Sequence, residues 1–361
     1  MNLIIFGSGT TAKEAMQYVA EGIHILGFFD NNSTISEWEG LSKLNICKIH
    51  TYDFDYIVIC TVLYWLEIYE QLKSIGIKED KILIYDYTKI VKCRLYNANY
   101  FEKKWQRLSM KDKPQIINSG ISYFNDGIDE TIFEEKINKT AFNFALRAQD
   151  IFYDFKIAQF LDKERYLEEV SHYLIGLSYY SFEYDLSKSS NAWEIIRYYP
   201  YIDDSHNFIS RDYLEEFVKE TKEELEKYVI CEKIFSKRNQ YVINKESAII
   251  QAKSDFNKNY PTTVWENKKI FKQFLSFLKE KNIKPIVIIM PAVEEYVNAC
   301  PSYMKENFYN NLKECTEGYN VQVLDYFGKY YGEVSDYYHV THFNKDGARR
   351  FTDKLVEDIE W

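Results

Sequence analysis

The sequence predicts an α/β protein with two parallel-sheet domains: a Rossmann-like module and a three-layer α/β/α domain with a helical insertion. Short apolar runs alternate with helix-like stretches along most of the 361 residues, which is typical of βαβ units. The polar stretch Lys111-Asp-Lys-Pro114 separates two such series, and a chain of this length has room for two domains. We therefore expect domains at residues 1–92 and 114–361, joined by a helical linker at 93–113.

The first domain begins with a strand that runs directly into a glycine-containing turn. A helix-like stretch follows this turn as far as about Val19. The strands predicted for this domain are Asn2–Phe6, His24–Phe29, Tyr56–Cys60 and Lys81–Tyr85.

The turn after the first strand predicts a ligand site. The spacing of Gly7, Gly9 and Ala12 fits the dinucleotide-binding fingerprint, and Asp30 ends the second strand, where a ribose-binding acid lies in such folds. Glycines there let backbone amides approach a phosphate at a helix N-terminus. Two interpretations stay open: a nucleotide or nucleotide-sugar site formed by these four residues, or a tight turn that binds nothing.

The second domain repeats the alternation of strand and helix. Mostly charged and aromatic helices are expected at residues 191–260, and we interpret them as an insertion. The predicted strands are Pro114–Ser119, Thr140–Asn143, His172–Leu177, Pro285–Met290 and Val321–Leu324, and the predicted helices are Gln149–Leu161, Thr263–Glu280, Met304–Cys315 and a last one from Asp346.

Charge and composition disfavour several classes of partner and of localisation. Lys and Arg number 45 against 55 Asp and Glu, a net charge of −10, which disfavours nucleic acid or an anionic membrane as partner. No apolar run approaches the ~18 residues that span a bilayer, and the N-terminus lacks a signal-peptide pattern. Six widely spaced cysteines are expected as free thiols. These features together predict a cytoplasmic protein without a transmembrane segment.

Two distant residues form a candidate catalytic pair. Ser122 follows a short apolar strand and a glycine turn, and His342 precedes the last predicted helix. A serine hydroxyl becomes a nucleophile when a base removes its proton, and an imidazole does this near neutral pH. Asn344 is expected to cap the last helix. A zinc site on Asp336, His339 and His342 is the weaker alternative, because no further ligand lies at a suitable spacing.

Four short motifs, in this order, resemble the SGNH (GDSL-like) hydrolases, in the branch that includes the D-alanyl-lipoteichoic acid biosynthesis protein. The motifs are Ile-Ile-Asn-Ser-Gly120-Ile-Ser122-Tyr, Asn143-Phe-Ala-Leu-Arg-Ala-Gln149-Asp150, Lys284-Pro-Ile-Val-Ile-Ile-Met-Pro291 and Thr341-His-Phe-Asn-Lys-Asp-Gly347. The resemblance covers about residues 114–361 and implies Ser122 as nucleophile and His342 as base. The segment 1–92 resembles the small Rossmann-like modules that begin many bacterial glycan-biosynthesis proteins.

The sequence departs from the SGNH pattern at the acid and at the oxyanion hole. His339 occupies the position of the acid that usually orients the histidine, so we expect a Ser-His dyad or an acid borrowed from Asp336 or elsewhere. Ser178 stands where the family has its asparagine donor. The oxyanion donors implied are the amides of Ser122 and Ala148 and the hydroxyl of Ser178, with Arg147 or Gln149 as further donors.

Three functions follow from these features. The leading hypothesis is a serine-dependent O-acyl esterase or acyltransferase that acts on a bacterial cell-surface glycan or its precursor and needs no cofactor or metal for the ester chemistry. The alternative is a non-catalytic protein that binds a nucleotide or nucleotide-sugar and has a decayed SGNH site. A nicotinamide-dependent oxidoreductase is the weakest hypothesis, because it needs a catalytic acid or base beside the cofactor. His24 and His50 are the histidines near the first sheet, and His24 is expected to pack within it.

Overall fold

The computed structural model describes most of the chain, as two compact units. One unit comprises Met1–Ala98 with Asp212–Gln240, and the other comprises Asn99–Arg211 with Tyr241–Trp361. The first part of the predicted linker, residues 93–99, and much of the predicted insertion lie outside the described residues. The described residues are 1–31, 36–61, 64–85, 100–189, 192–199 (without the side chains of 193 and 196), 201–202, 204–207, 227, 230–231, 233–235, 243–258, 260, 262–329 and 332–361.

The first unit is built on a parallel four-stranded sheet with the order β2-β1-β5-β6. Alternate residues of β1 face opposite sides: Leu3 and Ile5 belong to one buried cluster, and Ile4 and Phe6 belong to the other. Both faces are therefore covered, as expected of a parallel sheet. The elements are β1 (Asn2–Phe6), α1 (Thr10–Tyr18), β2 (His24–Phe29), the hairpin β3 (Glu37–Trp38) and β4 (Leu41–Ser42), β5 (Tyr56–Ile59), α2 (Trp65–Ser74) and β6 (Ile82–Ile84).

A distant part of the chain completes the core of this unit. The buried residues Cys231, Ile234 and Phe235 pack in the same cluster as Leu3 and Ile5. The backbone amide of Ala20 also donates a 2.8 Å hydrogen bond to the carbonyl of Ile234. Residues more than two hundred positions downstream therefore belong to the hydrophobic core of the N-terminal sheet.

The second unit contains a parallel five-stranded sheet with the order β11-β10-β9-β7-β8. The two parallel sheets confirm the predicted α/β class. The strands are β7 (Ile116–Gly120), β8 (Ala141–Asn143), β9 (His172–Leu177), β10 (Lys284–Ile289) and β11 (Gln322–Asp325), with the hairpin β12 (Tyr337–His339) and β13 (His342–Phe343). The helices are α3 (Tyr100–Ser109), α4 (Ser122–Gly127), α5 (Thr131–Ile137), α6 (Ile151–Lys163), α7 (Lys245–Asp255), α8 (Thr263–Glu280), α9 (Glu294–Asn298), α10 (Ser302–Thr316) and α11 (Lys345–Asp358).

Each strand predicted for this unit is present within a few residues of its expected bounds. The short helices α4, α5 and α9 and the β12–β13 hairpin were not predicted. Among the residues that the structure describes, no helix combines the length and apolarity needed to cross a bilayer.

Candidate active site

Ser122 and Ser178 follow the carboxyl ends of two neighbouring strands, β7 and β9. The chain passes from β7 to β8 on one side and returns to β9 on the other, so the strand order reverses between β7 and β9. In open α/β sheets, ligands bind in the crevice at such a reversal. Ser122 therefore begins α4 at the position where this topology favours a site.

Two glycines allow α4 to pack closely on the sheet. Gly120 pairs with Gly176 across β7 and β9. A Cβ atom on Gly120, which has φ of +150°, would lie 2.7 Å from the Gly176 carbonyl oxygen. A Cβ atom on Gly176 would overlap the ring of Phe124, in the first turn of α4. This close approach fixes the position of Ser122.

Lys104, from α3, joins α4 to the loop after β8. Its Nζ donates hydrogen bonds to Asn125 Oδ1 at 2.7 Å and to the carbonyls of Asn143 at 2.8 Å and Ala145 at 2.6 Å. Sequence reasoning did not single out this residue, because a lysine on a polar helix carries no motif. Burial lowers the pKa of Lys104 to about 7, and its three hydrogen bonds hold α4 against the end of β8.

The β12–β13 hairpin carries both candidate histidines and is anchored at the start of α11. Asn344 caps this helix: its Oδ1 accepts hydrogen bonds from the amides of Asp346 at 3.1 Å and Gly347 at 3.0 Å. The buried Asp336 carboxylate is paired with Arg350 and accepts the Glu333 amide at 3.1 Å. Among the described residues, Asp336 makes no hydrogen bond to either histidine, so its role here is to hold the hairpin.

The imidazole rings of His339 and His342 face each other with their Nδ1 atoms. Their Nδ1 atoms are 3.3 Å apart, and Thr341 Oγ1 lies 3.2 Å from the first and 3.0 Å from the second. Burial, together with the neighbouring His339 and the positive charge of Arg147, lowers the pKa of His342 to about 3. Burial also lowers the pKa of His339. Both rings are therefore neutral near pH 7.

Two neutral imidazoles that share a hydrogen bond have coupled tautomers. If His342 donates from Nδ1 to His339, its Nε2 carries a lone pair and can accept a proton. If His339 donates instead, His342 Nε2 carries hydrogen and is no base. His339 can thus fix the tautomer of His342, as a carboxylate does in a triad, but it adds no negative charge.

Tyr123 connects the serine helix to the histidine hairpin. Its ring contacts the His342 ring edge-on, with centroids 5.0 Å apart. Ser122 is the preceding residue, and its hydroxyl makes no hydrogen bond to any described residue. The structure therefore brings the elements that carry Ser122 and His342 together, with the two side chains unbonded to each other.

A buried carboxylate that the sequence analysis missed lies beside the histidine pair. Asp255, at the end of α7, is 6% exposed and accepts hydrogen bonds from the hydroxyls of Tyr123 and Tyr296, both at 2.8 Å. The Tyr123 hydroxyl also lies 2.9 Å from that of Tyr180. The negative charge of Asp255 acts to raise the pKa of His339, against the larger effect of burial. Asp255 has no motif around it, and its position depends on tertiary packing.

The predicted oxyanion donors differ in their availability. Ala148 has φ of +51°, a left-handed conformation that is uncommon for a residue with a side chain and is found at functional sites. Ser178 is engaged in its own turn: its amide donates to Ser181 Oγ at 2.8 Å, and the two hydroxyl oxygens are 3.2 Å apart. Ala148 therefore stays a donor candidate, whereas Ser178 would have to give up its turn contacts.

Arg147 and Gln149, the further donors considered, have different surroundings. Arg147 adds its positive charge to the burial that lowers the pKa of His342. It also partly offsets the rise in the pKa of Tyr338 that burial and Asp126 cause. Gln149 is buried, with Nε2 donating to Asp154 at 2.5 Å and Oε1 accepting from Tyr198 at 3.2 Å. Because the polar atoms of Gln149 already have partners, Arg147 is the better candidate for a further oxyanion donor.

The loop after β1 lines a cavity of about 540 Å³ in the first unit. Gly7, Gly9 and Asp30 line it, whereas Ala12 is fully buried in the core. Asp30 Oδ2 accepts hydrogen bonds from the Ser8 amide at 2.9 Å and the Ser8 hydroxyl at 2.6 Å. The volume lies within the roughly 300–1,000 Å³ of small-molecule sites.

Residues 1–83 match the family described as C2185-like, N-terminal. No curated protein matches the chain. Among solved structures, a candidate platelet activating factor from Streptococcus pneumonia is 11% identical with a TM-score of 0.41, over 75% of this chain and 97% of that one. A candidate acylhydrolase from Bacteroides fragilis is 10% identical with a TM-score of 0.36, over 72% and 94%. Similarity at these scores establishes neither fold nor function.

Proposed function

We propose that the second unit is a serine-dependent O-acyl esterase or acyltransferase. The observation that carries this proposal is the contact between α4, which begins at Ser122, and β13, which begins at His342, made through the Tyr123 and His342 rings 5.0 Å apart. The reversal of strand order between β7 and β9 at the same edge supports it.

In the proposed reaction, Ser122 Oγ attacks the acyl carbonyl carbon and its proton passes to His342 Nε2. The carbonyl oxygen becomes an oxyanion, for which the Ser122 and Ala148 amides and the Arg147 guanidinium are the candidate donors. The ester C–O bond then breaks, and the proton passes from His342 to the leaving alkoxide. Water or a second hydroxyl attacks the seryl ester in the reverse sequence, which gives hydrolysis or acyl transfer.

His339 is proposed as the group that orients His342, with Asp255 as the nearest buried negative charge. The low pKa of His342 makes it a weak base, so the reaction is expected to be slow with simple esters. From the resemblance described above, the acyl ester of a bacterial glycan or its precursor is the proposed substrate class.

The test is covalent labelling of the purified chain with a fluorophosphonate, followed by mass spectrometry of the labelled peptide. We expect label on Ser122, lost in Ser122→Ala and His342→Ala. Ser109→Ala and His24→Gln, which change an exposed serine and an exposed histidine elsewhere, should keep it. Label retained in Ser122→Ala would refute the proposal.

For the first unit, we propose a nucleotide or nucleotide-sugar ligand, supported by the cavity that Gly7, Gly9 and Asp30 line at the N-terminus of α1. Without the ester chemistry, this would be the function of the protein. Calorimetric titration with UDP, UDP-N-acetylglucosamine and NAD⁺ tests it. Binding should weaken in Asp30→Asn and persist in Asp53→Asn, a change at an exposed acid. No binding of any of the three would contradict the proposal.

A further inference from the structure

Three ligand-type side chains of the second unit meet in one buried place away from Ser122. One potential ligand atom from each of Asp150, Asp185 and His206 lies within 4.8 Å of the other two. Asp150 caps α6, where its Oδ1 accepts the Tyr153 amide at 3.0 Å. Asp185 begins a turn after β9, where its Oδ1 accepts the Ser187 amide at 2.8 Å. Both carboxylates are thus fixed by backbone hydrogen bonds.

His206 lies between the carboxylates of Asp185 and Glu266. Its side chain is 7% exposed, and its Nε2 lies 3.2 Å from Glu266 Oε1 and 3.3 Å from Asn207 Nδ2. The ring stacks on Phe152 with centroids 4.2 Å apart. Its Nδ1 is buried, makes no hydrogen bond and lies 3.5 Å from Asp185 Oδ1. In the tautomer with hydrogen on Nε2, beside Glu266, the lone pair of Nδ1 would be available to a metal.

We propose that Asp150, Asp185 and His206 bind one divalent cation of the zinc or manganese type. Imidazole and carboxylate ligands suit these ions. Zinc bonds of ~2.0–2.1 Å place neighbouring tetrahedral ligands roughly 3.3–3.4 Å apart, close to the 3.5 Å between His206 Nδ1 and Asp185 Oδ1. With three protein ligands, the fourth position is open to water.

The charges around these residues also favour a cation. Asp150, Asp185 and Glu266 carry three negative charges when ionised, and Lys188 offsets one, with its Nζ 3.1 Å from Asp185 Oδ2 and 3.4 Å from Glu266 Oε2. Lys188 contacts Oδ2 of Asp185, whereas His206 faces Oδ1. The lysine and a metal ion can therefore share this carboxylate.

A cation here would tie together two loops at the carboxyl edge of the sheet. Asp150 follows Ala148 by two residues, and Asp150 Oδ2 accepts the Leu186 amide at 2.7 Å. The Tyr184 hydroxyl, in the residue before Asp185, donates to the Ala148 carbonyl at 3.2 Å. The proposed ion would hold the left-handed turn at Ala148. The proposed metal site does not depend on the proposed serine chemistry, because neither Ser122 nor His342 is among its ligands.

The experiment measures metal binding by the full chain after treatment with a chelator. Zn²⁺, Mn²⁺, Mg²⁺ and Ca²⁺ are titrated in turn, and elemental analysis of the dialysed protein gives the stoichiometry. We expect one Zn²⁺ or Mn²⁺ per chain and a metal-dependent rise in Tm. His206→Gln should weaken binding by at least about 100-fold, and Glu266→Gln by about 10–100-fold through the orientation of His206.

His24→Gln is the matched control, because it removes an exposed histidine of the other unit. Stoichiometric binding that is unchanged in both His206→Gln and Glu266→Gln overturns the proposal, as does a wild-type chain that binds none of the four ions. Should His206→Gln fail to fold, as judged by near-UV circular dichroism, the wild type and Glu266→Gln decide the question. Preference for Mg²⁺ or Ca²⁺ would overturn the assigned type of metal.

Discussion

The Tyr123 hydroxyl donates a 2.8 Å hydrogen bond to the buried Asp255 carboxylate, while the Tyr123 ring packs edge-on against His342. One side chain thus connects the end of α7, the helix that begins at Ser122 and the histidine hairpin. The sequence separates Tyr123 from Asp255 by 132 positions, so this connection depends on the fold.

Asp255→Ala should destabilise the second unit strongly. It removes the acceptor of the buried Tyr296 hydroxyl and leaves the Tyr123 hydroxyl with Tyr180 alone. Each unsatisfied buried group costs about 1–3 kcal/mol. We expect the free energy of unfolding in urea to fall by roughly 2–5 kcal/mol. Glu246→Ala, at an exposed acid of the same helix, is the control. Equal, small effects of the two substitutions would show that Asp255 does not organise this cluster.

His339→Asp should make the ester chemistry faster, if the proposed function holds. A carboxylate at position 339 would orient His342 and stabilise its protonated form. The neutral His339 now facing His342 supplies no negative charge for this. We expect kcat/KM for p-nitrophenyl acetate to rise about 10–100-fold, and the acid limb of its pH profile to move upward from the vicinity of pH 3. His339→Asn, which supplies an acceptor without charge, should give little of this gain. A slower His339→Asp enzyme would rule out an orienting role for position 339.

Stability should decline as the pH falls from about 6.5 towards 3. The pKa of His342 is about 3 in the folded protein, against about 6.5 for an unperturbed histidine. Between these values the unfolded chain binds the extra proton, so acid favours unfolding. His172, whose pKa burial lowers to about 4, acts in the same direction. Tm measured from pH 7 to 4 should fall less in His342→Gln than in wild type, and parallel curves would contradict this assignment.

Gly176→Ala should both destabilise the protein and impair the proposed site. The new methyl group would overlap the Phe124 ring and displace α4, an overpacking change that typically costs about 1–3 kcal/mol. Fluorophosphonate labelling of Ser122 is expected to drop with it. Gly9→Ala, where a Cβ atom would meet nothing within 4 Å, should cost at most about 1 kcal/mol. Full labelling and stability in Gly176→Ala would mean that this contact is adaptable.

The sequence predicts the sheets well and the site incompletely. Strands such as β1 and β10 contain continuous apolar runs because parallel sheets are buried on both faces, and this signal is local. The Asn344 cap is local as well and was predicted. The role of Asp255 and the cluster of Asp150, Asp185 and His206 could not be predicted. In both cases the interacting side chains come from elements far apart in the chain.

The role of Asp336 shows the same limit. The sequence places it near His339 and suggests a catalytic acid, but its carboxylate turns to Arg350 in α11 and to the Glu333 amide. Spacing alone does not determine which way a side chain points within a hairpin. A neighbouring helix supplied the partner that decided it.

The packing of Ile234 and Phe235 against Leu3 and Ile5 has a practical consequence for fragments of this protein. A truncation designed from the contiguous family match would stop near residue 83 and lack both side chains. Part of the cluster around Leu3 and Ile5 would then be open to solvent, and such a fragment is expected to aggregate or remain partly unfolded. A design that links residues 1–98 to 212–240 with a flexible peptide keeps Ile234 and Phe235 with the sheet.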